Sequence, residues 1–250
     1  KSSSLETSIY HTFLNGNYGF DFNNFLGLPS TEELFNYAFE SNLVGFFSNY
    51  TFSKKQFHLT SGLHGNIYNR QHTGSEKALG QLYQNNGYKN EISVFSKADY
   101  TFKRFMFFAD LQYRMVFYQA NSIKFNDVND TFRFFNPKAG ITYTLNQASS
   151  IYGYFGIANK EPRRDDYESG SIKPERLQDY ELGYKFKNKK TSLNINAFYM
   201  RYKNQLVATG ALNDVGSPVF ENSGKSYRAG IEIEGAIKII PKVKRPNNGP

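Results

Sequence analysis

The chain of 250 residues has no cysteine and no tryptophan, and nowhere does it hold the run of about twenty near-continuous apolar residues that a transmembrane helix requires. Without cysteine there is no disulfide framework and no thiolate metal site, which suits passage through an oxidising compartment. Without the apolar run, a helical membrane span is excluded. A continuous stripe of one charge is lacking too. Thirty Lys and Arg against 22 Asp and Glu give a formal charge of +8, but the cations are scattered among carboxylates, so no nucleic-acid partner is expected. No Gly-rich phosphate loop, nucleophile elbow or zinc-binding helix motif occurs. The opening KSSSLETSIY shows neither an initiator Met nor the basic and apolar regions of a signal peptide, and reads as an interior piece of something longer.

Aromatic residues are abundant instead: 19 Tyr and 24 Phe in a chain of polar mean hydropathy. Their spacing explains them. Tyr227, Ala229, Ile231, Ile233, Gly235, Ile237 and Ile239 alternate with Arg228, Gly230, Glu232, Glu234, Ala236 and Lys238, which is the period of a strand with one apolar and one charged face. Leu193, Ile195, Ala197 and Tyr199 oppose Asn194 and Asn196. Tyr180, Leu182, Tyr184 and Phe186 oppose Glu181, Lys185 and Lys187. Phe105, Phe107, Ala109, Leu111, Tyr113, Met115 and Phe117 oppose Asp110, Gln112 and Arg114. That last run of about thirteen residues outlasts the usual strand of about five or six in soluble proteins.

Connections alternate between short and long. Tight turns are expected at 53–56, 103–104, 146–149 and 188–190, and long connections at about 14–40, 73–89, 123–131, 161–176 and 207–220. Roughly ten antiparallel strands of about ten to sixteen residues follow, with one trimmed and one elaborated end, as in outer-membrane barrels. Lipid offers the backbone no hydrogen-bond partners, so a sheet crosses it only as a closed wall with apolar side chains outward and polar ones toward a wet interior. Tyr50, Phe52, Tyr100, Phe102, Tyr152, Tyr154, Tyr199 and Tyr202 are expected in the aromatic girdles at headgroup depth. The competing fold is a soluble antiparallel sandwich, in which one face also alternates with the other. Ten strands would leave two free edges, so further strands are expected to close the wall.

Four blocks then carry a family resemblance: GYFGIANKEPRRDDY from Gly153, KPERLQDYELGYKF from Lys173, NAFYMRYKNQLVATGALNDVG from Asn196 and NSGKSYRAGIEIE from Asn222. In this order they resemble consecutive barrel strands of TonB-dependent outer-membrane receptors of the Bacteroidetes type. The resemblance implies an all-β antiparallel transmembrane β-barrel of about twenty-two strands with a plug domain in its lumen. Residues 1–250 would form one partial barrel domain, the plug and the TonB-binding segment lying outside the chain. It further implies active uptake of a scarce nutrient, a ferric siderophore first among several, with energy from a TonB–ExbB–ExbD complex reached through the missing N-terminal part. Outer-membrane lipid and lipopolysaccharide are the remaining partners, and neither a cofactor nor enzymatic chemistry is implied. A passive outer-membrane channel is the alternative with the same periodicity.

Candidate contacts to a ligand lie on the charged segment between two strands: Arg163, Arg164, Asp165, Asp166 and Tyr167. Arginines there suit an anionic ferric chelate, and the same charges could pair with one another or with lipopolysaccharide phosphates. Asn213 and Asp214 lie on another external loop, where shaping a turn is the simpler role. His58, His64 and His72 share one parity and should line the lumen. Residues six and eight apart on a strand stand about 20 to 27 Å apart, too far for one metal ion. Glu161, Asp165 and Asp166 could supply a glycosidase pair, but nothing in the sequence sets the separation such a pair needs.

Overall fold

Every period-two segment forms a strand, and almost all of the strands pair in chain order. A computed structural model describes residues 2–21, 34–121, 127–168, 170, 173–212 and 218–239. It contains β1 (Ser2–Phe20), β2 (Phe35–Lys54), β3 (Phe57–Glu76), β4 (Gly80–Phe102), β5 (Phe105–Ala120), β6 (Val128–Thr144) and β7 (Ser149–Lys160). A short helix α1 (Arg164–Glu168) follows, then β8 (Glu175–Lys187), β9 (Thr191–Lys203), β10 (Leu206–Leu212), β11 (Pro218–Asn222) and β12 (Lys225–Ile237). Ten strands make one antiparallel sheet in the order β1 to β9 and then β12, while β10 and β11 form a separate hairpin. No second sheet packs on its face among the described residues, which removes the sandwich. The sheet is a segment of barrel wall, bounded by β1 and β12.

Register assigns the faces. Leu111 stands opposite Ser96 on β4 and Pro137 on β6, while Arg114 stands opposite Ser93 and Phe134. On β5 the large residues Phe105, Phe107, Leu111, Tyr113 and Phe117 are all exposed, and Val116, Tyr118 and Ala120 of the other parity are buried. The apolar face therefore points outward. From Phe105 to Phe117 it rises about 31 Å at a tilt of about 40°, enough for an apolar band of about 25 Å with a ring at each end. The same parity holds along the sheet, from Leu5 and Ile9 on β1 to Ile231 and Ile233 on β12.

The turns at one end are as short as expected. Phe102 pairs with Phe105 and Lys54 with Phe57, leaving two residues in each turn. Lys103 and Lys55 take φ of 56° and 53° there, in the left-handed region where glycine is usual. The other end departs from expectation. The stretch read as a connection at 73–89 is largely strand, and so are the described residues of the one at 14–40: β1 runs to Phe20, β2 starts at Phe35, β3 runs to Glu76 and β4 starts at Gly80. Above Ile67 the outward residues of β3 become Asn69, Gln71 and Thr73, so hydrogen-bonded hairpins continue past the lipid after the apolar alternation of β3 has stopped. Loss of apolar alternation marked the end of the membrane, not of the strand. The first four strands accordingly have 19, 20, 20 and 23 residues.

Three girdle assignments also change. Tyr50, Tyr100, Phe102 and Tyr199 are exposed on the outward parity, and Phe52, half-buried, shares that parity. Tyr152, Tyr154 and Tyr202 point inward, since Ile151 and Phe155 on β7 and Tyr199 on β9 hold the outward parity. The Tyr152 ring lies over Gly183, where an added Cβ would collide with it, and its hydroxyl donates to Asn196 Oδ1 at 3.1 Å. Tyr10 covers Gly45 in the same way and reaches His64 Nε2 at 3.0 Å. Aromatic rings laid over strand glycines recover packing that a bare backbone would lose.

Candidate functional site

The wet face of the wall converges on the connection between β7 and β8. Pro162 and α1 do not stand out into solvent; they fold inward across the mouth. Glu161 makes this possible. Its carboxylate receives Lys89 Nζ at 2.6 Å and Arg114 Nη2 at 2.6 Å, and Arg114 Nη1 reaches Glu91 Oε2 at 3.1 Å. Arg114 also donates to the Asn159 carbonyl at 3.3 Å and lies over the Phe134 ring at 5.1 Å. Burial alone would raise the Glu161 pKa, but the Lys89 hydrogen bond and the Lys89 and Arg114 charges hold it below the ordinary carboxylate range.

The next residues close the turn. Asp166 is fully buried, accepts from the Arg163 backbone N–H at 2.7 Å and lies 3.6 Å from Arg163 Nε. It thereby satisfies an amide at the start of α1, as a carboxylate in the first helical turn commonly does. Tyr167 stacks on Tyr118 with ring centroids 5.4 Å apart and donates its hydroxyl to Asp130 Oδ2 at 2.6 Å. Burial first, then the bond to Asp130, pushes the Tyr167 phenol well above its ordinary value. The second elaborated connection is stitched to the first. Asn222 bonds the Lys173 N–H at 3.2 Å and the Lys173 carbonyl at 3.1 Å, and Arg163 lies 5.2 Å over the Phe220 ring.

The five residues singled out from sequence thus divide. Asp166 and Tyr167 face inward and hold the segment against the wall. Arg163 and Asp165 are exposed and Arg164 is half-buried, so these three present the segment's outer surface. Glu161 and Asp166 are committed to ion pairs and backbone. Asn213 and Asp214 lie outside the described residues. The three histidines share the inward face, with separate surroundings: His58 Nδ1 contacts Ser53 Oγ at 2.9 Å, His64 meets Tyr10, and His72 lies opposite Phe39 and Asn85 above the apolar band. Lys89, Glu91, Asp130 and Tyr118 were missed. Inward parity on β4, β5 and β6 was the signal that could have found them. A depression of about 670 Å³ on the outer face, floored by Ala139, Gly153 and Ala197, faces lipid and takes no part in the mouth.

A family model described as "TonB dependent receptor-like, beta-barrel" matches residues 2–240. No curated protein is similar in sequence. Among solved structures, a copper transporter, OprC, superposes with a TM-score of 0.75 at 11% identity, covering 94% of this chain and 41% of its own. The FrpB iron transporter from Neisseria meningitidis gives 0.65 at 16% identity, over 94% and 39%. The ferric citrate transporter FecA gives 0.64 at 11% identity, over 92% and 36%. The chain therefore spans about two fifths of the length of these transporters, and at such identities the likeness is one of fold.

Proposed function

Because the chain belongs to the TonB-dependent receptor β-barrel family, a family of the bacterial outer membrane, we propose that it forms the lipid-facing wall and part of the mouth of an active-transport receptor. The receptor takes up a scarce nutrient, a ferric siderophore being the first choice, with energy supplied through TonB. The family match over residues 2–240 carries this reading, since it includes both the strands in lipid and the elaborated connections. Similar structures named for copper, iron and ferric citrate transport support a metal or a metal chelate as the cargo class. Arg163, Arg164 and Asp165 are the ligand-facing part of the mouth, and Asp166 and Tyr167 hold them in place. No bond of the cargo is made or broken, so no enzymatic step is needed.

A passive channel would use the same strands, but the inward docking of α1 narrows the mouth and favours a receptor that closes on its ligand. Uptake by the full-length protein under iron limitation separates the two. Accumulation of one ferric chelate should stop when the inner membrane is de-energised. Accumulation indifferent to that treatment overturns the receptor reading.

A further inference from the structure

The mouth holds a second cationic group, on the wall strand β3. Above Ile67 the inward residues of β3 are Tyr68, Arg70 and His72. Around Arg70 the wall is low, for the residues level with it are Ser41 on β2, Gly87 on β4 and, one strand further, Ala120 on β5. A Cβ added at Gly87 would meet only backbone oxygens at 3.9 Å, so no side chain covers that position. Arg70 is held in this recess by Phe39, whose ring centroid lies 4.3 Å from its guanidinium carbon. No carboxylate of the described residues pairs with Arg70, and its Nε is buried without a hydrogen-bond partner. Arg70 is half-buried; a buried guanidinium donor left unpaired is costly, and an oxyanion is the complement that the planar fork accepts.

We propose that Arg70 and His72 of β3, together with Arg164 of α1, form an anion-binding subsite at the lumen mouth that takes a carboxylate or similar oxyanion of the transported ligand. The proposal rests on the receptor reading above and extends the ligand-facing surface from the connection to the wall. His72 has Phe39 and Asn85 as its neighbours on β2 and β4. Its pKa is lowered to about 4, by burial first, then by Arg70 and Arg164, with Asp165 offsetting them in part. Arg70 and Arg164 are thus the cations that act on His72, and Asp165 is the carboxylate that acts on it. An anion seated there would offset those cations and draw a proton onto His72.

Titration calorimetry of the full-length receptor in detergent micelles near pH 6, with citrate and then inorganic phosphate as probes, tests the subsite. Two buffers of different ionisation enthalpy report the protons taken up. We expect citrate to bind, Arg70→Gln to weaken it by about tenfold or more and Arg70→Lys by less, as loss of a charge-assisted fork implies. His72→Gln should take up fewer protons on binding than the wild type, the difference being the His72 share beside the ionisation of citrate itself. Heat-modifiable electrophoretic mobility verifies that each variant barrel is folded, and Arg70→Lys keeps the test decisive if Arg70→Gln does not assemble. Wild-type citrate affinity in both Arg70 variants, or binding of neither probe to the wild type, overturns the proposal. Lipid A phosphates offer the same chemistry from the membrane side. Added lipid A should leave citrate affinity unchanged, and competition between them would assign the cations to a headgroup and overturn ligand binding. Energy-independent uptake in cells sinks the receptor reading alone, because citrate affinity is measured on the purified protein.

Discussion

The two faces of β5 are built on different rules. Outward, Phe105, Phe107, Leu111, Tyr113 and Phe117 share only their apolar class, and Leu111 keeps half its surface exposed. Inward, the four polar or hydroxyl-bearing residues Asp110, Gln112, Arg114 and Tyr118 each have a named partner. Lys138 Nζ lies 3.5 Å from Asp110, Asn136 donates to Gln112 at 3.0 Å, Arg114 holds Glu91 and Glu161, and Tyr118 carries the Tyr167 ring. Lipid asks of a side chain only that it be greasy, whereas the lumen asks that it be one particular shape and charge. The outer face should then tolerate exchange within its class and punish any change of class, and the inner face should punish even conservative changes.

Leu111→Arg breaks the outer rule most severely. Leu111 sits midway along the Phe105–Phe117 run, at the centre of the band. A cation at such a position costs about 2–4 kcal/mol of barrel stability. Denaturant titration of the folded barrel in lipid, followed by electrophoretic mobility, should show that loss. Ile233→Arg on β12 should behave alike, since Ile233 stands level with Ile195 on the same outward parity. A neutral result at both positions would reverse the assignment of faces.

Glu161→Ala tests the inner rule next. It strands Lys89 and Arg114, but Lys89 is 40% exposed, so the cost is about 2–3 kcal/mol, below that of breaking a fully buried pair. The loss should be local, appearing as faster tryptic cleavage at Arg163 and Arg164 with the strands still intact. Acid should do the same reversibly. The folded pKa of Glu161 is depressed, so its contribution is complete above the ordinary carboxylate pKa and is lost as the pH falls below it. Cleavage should rise on acidification in the wild type and stay flat in Glu161→Ala, measured with an acid-active protease. Tyr167→Phe comes third. It keeps the stacking on Tyr118 and removes the bond to Asp130, worth about 1.5–2 kcal/mol for a hydrogen bond to a charged acceptor. Cleavage should increase, but less than in Glu161→Ala.

The contrast also explains what could be read in advance. Alternation along Phe105–Phe117 or Tyr227–Ile239 depends only on class, so strand, face and membrane were visible in the residues themselves. So were the turns at Lys103 and Lys55, because apolar alternation stops on both sides of them. The mouth depends on register instead. That Lys89, Arg114 and Glu161 meet follows from β4 pairing with β5 in one frame, which no local pattern in three separated segments reveals. Tyr152, Tyr154 and Tyr202 were placed outside for a related reason: an aromatic residue near a strand end suits a girdle or a cover for a glycine, and only parity decides between them. The tip of the β3–β4 hairpin, 73–89, read as a loop because apolar alternation stops there while the backbone goes on pairing.

Leu111→Ile should have the smallest effect, and it sharpens the comparison most. The exchange keeps volume, class and depth, and β-branching suits an extended backbone. In a packed core such a swap would still cost up to about 1.5 kcal/mol through repacking. At an outward position the neighbours are fluid acyl chains that rearrange around either shape, so the expected change is under about 0.5 kcal/mol, as for surface sites free of special contacts. The same denaturant titration used for Leu111→Arg checks it. A loss beyond 1 kcal/mol, on the order of a core exchange, would mean that Leu111 packs against an ordered partner. The outer face would then be a specific interface rather than a boundary with lipid.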